Sequence, residues 1–468
     1  MTDDDVRIEE DTMGEVEVPA DALYGAQTQR AVDNFPVSGD PMPTRFVRSM
    51  GMVKLACARV NKDLETIDTK KAEAIEQAAR EVAEGEHDDE FPIDVFQTGS
   101  GTSTNMNTNE VIANRATQIL GAEFGSKQVH PNDHVNYGQS SNDTIPTALH
   151  LSTILAIEED LLPALDALAE TLDAKAEEFD DVLKVARTHL QDATPTRLGL
   201  EFGGYATSVA NGRDRIAQAI DELREVAIGG TAVGTGLNAP PNFGEKVTDE
   251  LSDIAGTDVY EAGNHFEAQG QKDAITHVHG ALNAVASSLM KIANDLRLLG
   301  SGPRCGLGEI SLPAVQPGSS IMPGKVNPVI PESVVQVAAQ VAGNHQVVTQ
   351  GNQWGQLDLN AMMPLIARNV LESVELLANV AEIFDERCIQ GIEANEEQAE
   401  HYVEQSTAIV TALNPYIGYE RASAVAKQAF REGKTVREVV VEEGLMDEDE
   451  IDEALDIRSM TERPGADE

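Results

Sequence analysis

The stretch TALHLSTILAIEEDLLPALDALAETLDAKAEEFD, residues 147–180, decides the fold class. Leu151, Ile154, Leu155, Ile157, Leu161, Leu162, Leu165 and Leu168 recur at helical spacing, and acids fill the opposite face, so the spacing predicts one long helix buried along a stripe. The same period runs through 203–227, 271–299, 332–350 and 363–386. Aromatic residues make up only 4% of the chain and period-two alternation is scarce, so the expected class is mainly α, built on a bundle of long helices. A helix of roughly 30 residues is about 45 Å long, more than one compact domain needs. Its apolar stripes suit a homo-oligomer that shares a bundle.

Charge narrows the partners. Against 80 Asp and Glu stand 34 Lys and Arg, a formal net charge of -46. A surface this acidic repels nucleic acid and anionic membranes, and it fits a salt-rich cytoplasm where counter-ions screen self-repulsion. The 468 residues suffice for two or three packed regions. Cys57, Cys305 and Cys388 are scattered without CxxC spacing, there is no HExxH, and His277 and His279 sit two apart on a predicted helix. No disulfide framework, no metal and no cofactor is therefore expected. The N-terminal MTDDDVRIEEDTMGEVEVP has neither the basic region nor the apolar run of a signal peptide, and no segment approaches 18 consecutive apolar residues. A soluble, cytoplasmic protein is the expectation.

In so acidic a chain the windows without acids are informative. Residues 95–109, 134–142, 228–244 and 310–331 are such windows in or around which Ser, Thr, Asn and Gly crowd. Excluding carboxylates while supplying hydroxyl, amide and backbone N–H donors is what a small-anion site requires. The last window holds GSSIMPGKVNP, residues 318–328. It is no phosphate loop: five residues separate Gly318 from Gly324, and Val326 stands where Ser or Thr would hold magnesium. A GxSxG elbow is absent and Met322 spoils an SxxK motif. What remains is a glycine-bounded loop offering Ser319, Ser320, Lys325 and Asn327, with Pro331 and Glu332 at the expected start of a helix. Lys325 can neutralise a carboxylate and Asn327 can donate to it. A serine here acts as a base only if its oxyanion is strongly stabilised, which calls for backbone N–H groups in the loop.

Taken together, TGSGTSTNMNTNEVIANR (98–115), HPNDHVNYGQSSND (130–143), ARTHLQDATPTRLG (186–199), GGTAVGTGLN (229–238) and GSSIMPGKVNP resemble the fumarase/aspartase superfamily, and most closely its class II fumarases. The resemblance covers nearly the whole chain. It implies the three-region fold of that family with a central bundle of long helices, here divided as 1–139, 140–393 and 394–468. It also implies a homotetramer whose active sites draw on three subunits, acting on a small dicarboxylate, fumarate or malate, in the tricarboxylic acid cycle. By resemblance, Ser319 is the base at C3, His189 the group that activates or receives water, and Glu332 its charge partner. Ser100, Gly101, Thr102, Ser140, Ser141, Asn142, Thr188, Ser320, Lys325, Val326 and Asn327 fall on substrate-binding positions. His130, Pro131, Asn132 and Asp133 resemble the secondary dicarboxylate site of fumarases.

Aspartate ammonia-lyases share most of these blocks. They carry glutamine in place of His189, STN in place of the SSN of 140–142, and typically alanine in place of Gly324, so all three positions favour hydration. A catalytically silent member would have lost Ser319, His189 or Lys325, and none is lost. Trp354, in GNQWGQLDLN, is one departure from the fumarase pattern.

Overall fold

A computed structural model of the chain describes residues 6–462; the first five residues of the acidic N-terminal stretch and the last six of the chain lie outside them. The chain divides into two compact units, each assembled from three stretches of sequence. One comprises Met1–Pro163, Gly212–Ala286 and Val337–Ala378; the other comprises Ala164–Asn211, Ser287–Gln336 and Asn379–Glu468.

The first unit opens with an antiparallel hairpin, β1 (Val6–Asp11) and β2 (Gly14–Pro19), followed by α1 (Ala26–Asn34), α2 (Thr44–Asp63), α3 (Thr69–Ala83), α4 (Thr102–Ile119) and α5 (Ser141–Ala156). Local chemistry sets these boundaries. Asp68 caps α3 through the N–H groups of Lys70 and Lys71, and Ser140 with Asp143 forms a capping box on α5. Helices α2 and α3 pack closely because Gly51 has no side chain: a Cβ there would lie 2.6 Å from the backbone nitrogen of Ala83. Phe46, Met50, Val53, Ile75, Val111 and Ile112 fill the core of this unit. Helix α5 is buried nearly all round, Ser152 and Thr153 included, as a helix at the centre of a bundle must be.

The helix expected over 147–180 comes in three pieces. After α5 the chain makes one π turn, Ile157–Leu161, and resumes as α6 (Leu162–Glu178). Pro163 is the cause. It has no N–H to donate back to residue 159, and the widened turn absorbs the missing bond. The boundary between the units falls at the same proline.

In the second unit α6 leads into the hairpin β3 (Leu183–Thr188) and β4 (Gln191–Arg197). The long helices α7 (Leu198–Ala219), α10 (Asp273–Leu299), α11 (Val329–Gln353) and α12 (Met363–Arg387) follow the sequence period, while α8 (Phe243–Ala255) and the short α9 (His265–Gly270) belong to the first unit. The helix expected over 203–227 starts earlier and tightens into a 3-10 turn at Ile220–Arg224. Beyond α12, shorter helices close on a small core of Val403, Ile409, Leu413, Val425, Val436, Val439, Val440 and Ile451. Among the described residues no helix is long and apolar enough to cross a membrane.

Candidate active site

In the first unit, three acid-poor windows meet around the N-termini of α4 and α5. Gly101 caps α4 at φ +72, and a Cβ there would press on the Ile145 side chain at 2.9 Å, so both conformation and space demand glycine. Ser100 Oγ and Thr102 Oγ1 share a hydrogen bond of 2.8 Å at this turn. The first turn of α4 holds no acid, leaving its N–H dipole end favourable to an anion. Asn105 of α4 donates to Ser141 Oγ at 3.1 Å, which ties the second window to the first. Asn142 Nδ2 donates to the Ala232 carbonyl at 2.7 Å and brings in the third.

Beneath this rim lies a buried polar layer that sequence reasoning missed. Asp143 is 0% exposed and accepts the N–H groups of Ser140, Thr231 and Gly229. Burial pushes its carboxyl up to about 6, against the pull of those N–H groups and of Lys54. Lys54, also 0% exposed, donates to Asn136 Oδ1 at 3.0 Å and Gln139 Oε1 at 2.9 Å, and burial lowers its pKa to about 8. Asp143 was legible only as the acid that ends the window 134–142.

The second unit carries the reactive candidates. Thr188 pairs with Gln191 across β3 and β4, so His189 and Leu190 form a two-residue turn. Both have positive φ, +55 and +59, the arrangement of a type I′ turn that normally takes Asn-Gly. Holding two ordinary residues there costs about 1 to 2 kcal/mol each. The strain presents His189 exposed at the hairpin tip, beside Leu190, which is 69% exposed. The hairpin base is rigid: Glu309, buried, accepts Arg187 at 2.9 Å and lies 3.4 Å from Lys184, which also pairs with Glu201 at 2.7 Å. A cavity of about 760 Å³ beside this base is lined by Lys184, Arg187, Leu190, Tyr205 and Lys291 among others.

The loop 318–328 is pinned at its ends and exposed in its middle. Gly318 N–H donates to the Lys325 carbonyl at 2.9 Å, and Asn327 Nδ2 donates to the Gly318 carbonyl at 2.7 Å. Gly324 makes the return at φ +82. Ser319 Oγ accepts two backbone N–H groups, from Met322 at 3.0 Å and Ile321 at 3.2 Å. Ser320, Lys325 and Val326 are exposed. Glu332 occupies the first turn of α11, and within the chain its ion pair is with Arg297 at 4.0 Å rather than with His189. Trp354, 62% exposed, follows the end of α11.

At 130–133, Pro131 opens a single π turn, and His130 Nδ1 accepts the N–H groups of Asn132 at 3.2 Å and Asp133 at 3.1 Å. A cavity of about 310 Å³ adjoins it, lined by Lys127, His130 and Asn132 but also by Glu9, Glu10, Asp11 and Glu110. Of those acids, Asp11 is paired with Arg30 and Glu110 accepts N–H groups from Gly25, Gln27 and Thr28. His277 is exposed and pairs with Glu222, whereas His279 is buried against Ser373, as expected of structural or surface histidines.

Long helices, anion-ready helix ends and a serine loop fit a helical lyase of the fumarase/aspartase type, and comparison with known proteins gives that class. A family model described as Lyase matches residues 14–343, and one described as Fumarase C C-terminus matches 409–462. The class II fumarate hydratase of Halobacterium salinarum is 58% identical over 460 residues, 98% of each chain. That of Mycobacterium tuberculosis is 53% identical over 459 residues, 97% of this chain and 96% of its own. Among solved structures, the class II fumarase of Schistosoma mansoni superposes with a TM-score of 0.95 at 41% identity, covering 97% of this chain and 99% of that one. A fumarate lyase:delta crystallin of Brucella melitensis bound to cobalt also gives 0.95, at 46% identity, covering 98% and 100%. The chain belongs to the class II fumarate hydratase family.

Proposed function

We propose that the chain catalyses reversible hydration of fumarate to (S)-malate by acid–base chemistry. The observation that carries this reading is Ser319, whose oxygen already receives two backbone N–H groups on a loop with pinned ends. Those donors make an alkoxide on Ser319 accessible as a base, in the way an oxyanion hole stabilises developing charge. In the malate direction Ser319 takes the C3 proton, and the electron pair passes into the adjoining carboxylate to give a doubly charged aci-carboxylate. The C2–O bond then breaks, and the hydroxide leaves as water with a proton from His189. Hydration runs the same steps in reverse. Lys325, Asn327, Ser320 and Val326 from the loop, Thr188 beside His189, and the Ser100–Thr102 and Ser140–Asn142 turns hold the carboxylates. Glu332 is the charge partner that fixes the His189 tautomer, and proton transfer by a group so positioned contributes about 10²- to 10⁴-fold.

Further parts of the reading follow from the same family. His189 stands exposed on its hairpin and Glu332 pairs with Arg297 within one chain, which supports a homotetramer whose sites are completed by other subunits. The three regions 1–139, 140–393 and 394–468, a cytoplasmic role in the tricarboxylic acid cycle, and a surface adapted to a salt-rich cytoplasm complete the proposal. The turn His130, Pro131, Asn132 and Asp133 is proposed as a secondary dicarboxylate site, with Lys127 as the cation beside it. Binding of malate in the presence and absence of His130→Asn tests it: loss of a second, weaker malate affinity supports the site, and two unchanged affinities remove it. For the reaction itself, appearance of the fumarate double bond from malate, and not from aspartate, is the test.

A further inference from the structure

Two costly features coincide beside Ser140, Ser141 and Asn142. Asp143 is a carboxylate with no exposed surface, and a buried charge is retained only where its partners repay the lost hydration. Opposite it, Thr231 holds φ +55, a region that L side chains rarely adopt, and Gly229 holds φ +99. The two features meet directly. Asp143 Oδ2 accepts the Thr231 N–H at 2.8 Å and the Gly229 N–H at 3.3 Å, while Oδ1 accepts the Ser140 N–H at 2.9 Å. Gln269 grips the far side of the loop, donating to the Thr231 carbonyl at 2.7 Å. Ser140 Oγ already accepts the Asn142 N–H, so a serine cap serves α5 whether or not the neighbouring carboxylate also grips the loop.

We infer that Asp143 is a positioning residue: it clamps the Gly229–Thr231 loop onto the first turn of α5 and so fixes Ser140, Ser141 and Asn142 for a substrate carboxylate. The inference rests on the dicarboxylate reading given above. Against burial, the Ser140 and Thr231 N–H groups favour the ionised clamp first, and the charge of Lys54, held by Asn136 and Gln139, adds to them. The titratable and charged groups around the clamp are Lys54 and Cys57 on α2 and, across the glycine loop, Glu261 paired with His265. A neutral Asp143 offers one acceptor fewer and an O–H that opposes an N–H, so acidification loosens the clamp.

Calorimetric binding of succinate, an unreactive dicarboxylate, to the full-length protein separates this inference from the reaction. Asp143→Asn should weaken succinate binding by about 10-fold or more and raise KM for fumarate by the same factor, with kcat changed less than about threefold, the pattern of lost ground-state positioning. Its melting temperature should stay within a few degrees of that of the unaltered protein. Unchanged succinate affinity and KM in a folded Asp143→Asn protein would overturn the clamp, as would loss of kcat at constant KM. Should that variant not fold, Lys54→Gln decides: the acid-side loss of succinate affinity should move to higher pH, and a pH profile superposable on that of the unaltered protein would overturn the inference. Absence of turnover in the unaltered protein would sink the hydratase reading instead, whatever succinate does.

Discussion

Ser319 and His189 reach their settings by different local means. Ser319 sits in a turn whose Ile321 and Met322 N–H groups donate to its oxygen. His189 is delivered by strain, at positive φ on a hairpin tip. In the role proposed for it, Ser319 is the base and makes no carboxylate contact, so Ser319→Ala should lower kcat by about 10²- to 10⁴-fold while KM moves by less than a few-fold. Steady-state kinetics on fumarate check this, and a near-normal kcat would reassign the C3 proton to another group. His189→Asn should lose a comparable factor in hydration. At this scale acid exclusion and loop punctuation mark the loop that holds Ser319, whereas His189, in a block that contains Asp192, stands out only through the family resemblance. The sequence hid Lys54 and Asp143, because a buried charge is recognisable only from what surrounds it in space.

Elements were legible where one period dominates. Helices α10, α11 and α12 lie within a few residues of the stretches read from hydrophobic spacing, since each buries a continuous stripe. The β3–β4 hairpin was not legible. Its turn is His-Leu rather than Asn-Gly, and tertiary contacts around Glu309 override the missing turn signal. The π turn at Ile157–Leu161 was likewise hidden, although Pro163 gave a clue to it. The C-terminal helices close on a small core that they share with Val185 of β3. Val439→Ala, at a fully buried position, should cost about 2 kcal/mol. Thr435→Ala, which removes a capping box, should cost about 1 kcal/mol. Denaturant unfolding measures both, and a change under about 0.5 kcal/mol for Val439→Ala would show that this core contributes little.

For the whole molecule, charge sets the operating window. With a net charge of -46, self-repulsion weakens as the Debye length falls from about 10 Å at 0.1 M salt to about 3 Å at 1 M. The melting temperature should therefore rise with potassium chloride over that range; a flat or falling trend contradicts a surface adapted to salt. Acid works the other way. His150 and His279 are buried, and burial holds both neutral down to about 4 when folded. Their contribution is fully present above the unfolded value near 6.5 and is lost as pH falls through about 4, about 3 kcal/mol each. Asp143, raised to about 6, runs oppositely, as do Glu110 and Glu267, whose carboxyls burial also raises: folding is favoured as they take up protons, so these acids partly offset the two histidines. Melting curves between pH 7 and pH 4 should show a net loss of stability, and His279→Gln should reduce it. Light scattering in 1 M salt should give four times the 50.2 kDa chain mass, and a monomer would undo the shared-site proposal.

The central claim is the reaction, and absorbance of the fumarate double bond tests it most directly. Purified protein given malate should generate that absorbance, and given aspartate should not. Turnover of aspartate without turnover of malate would contradict the account.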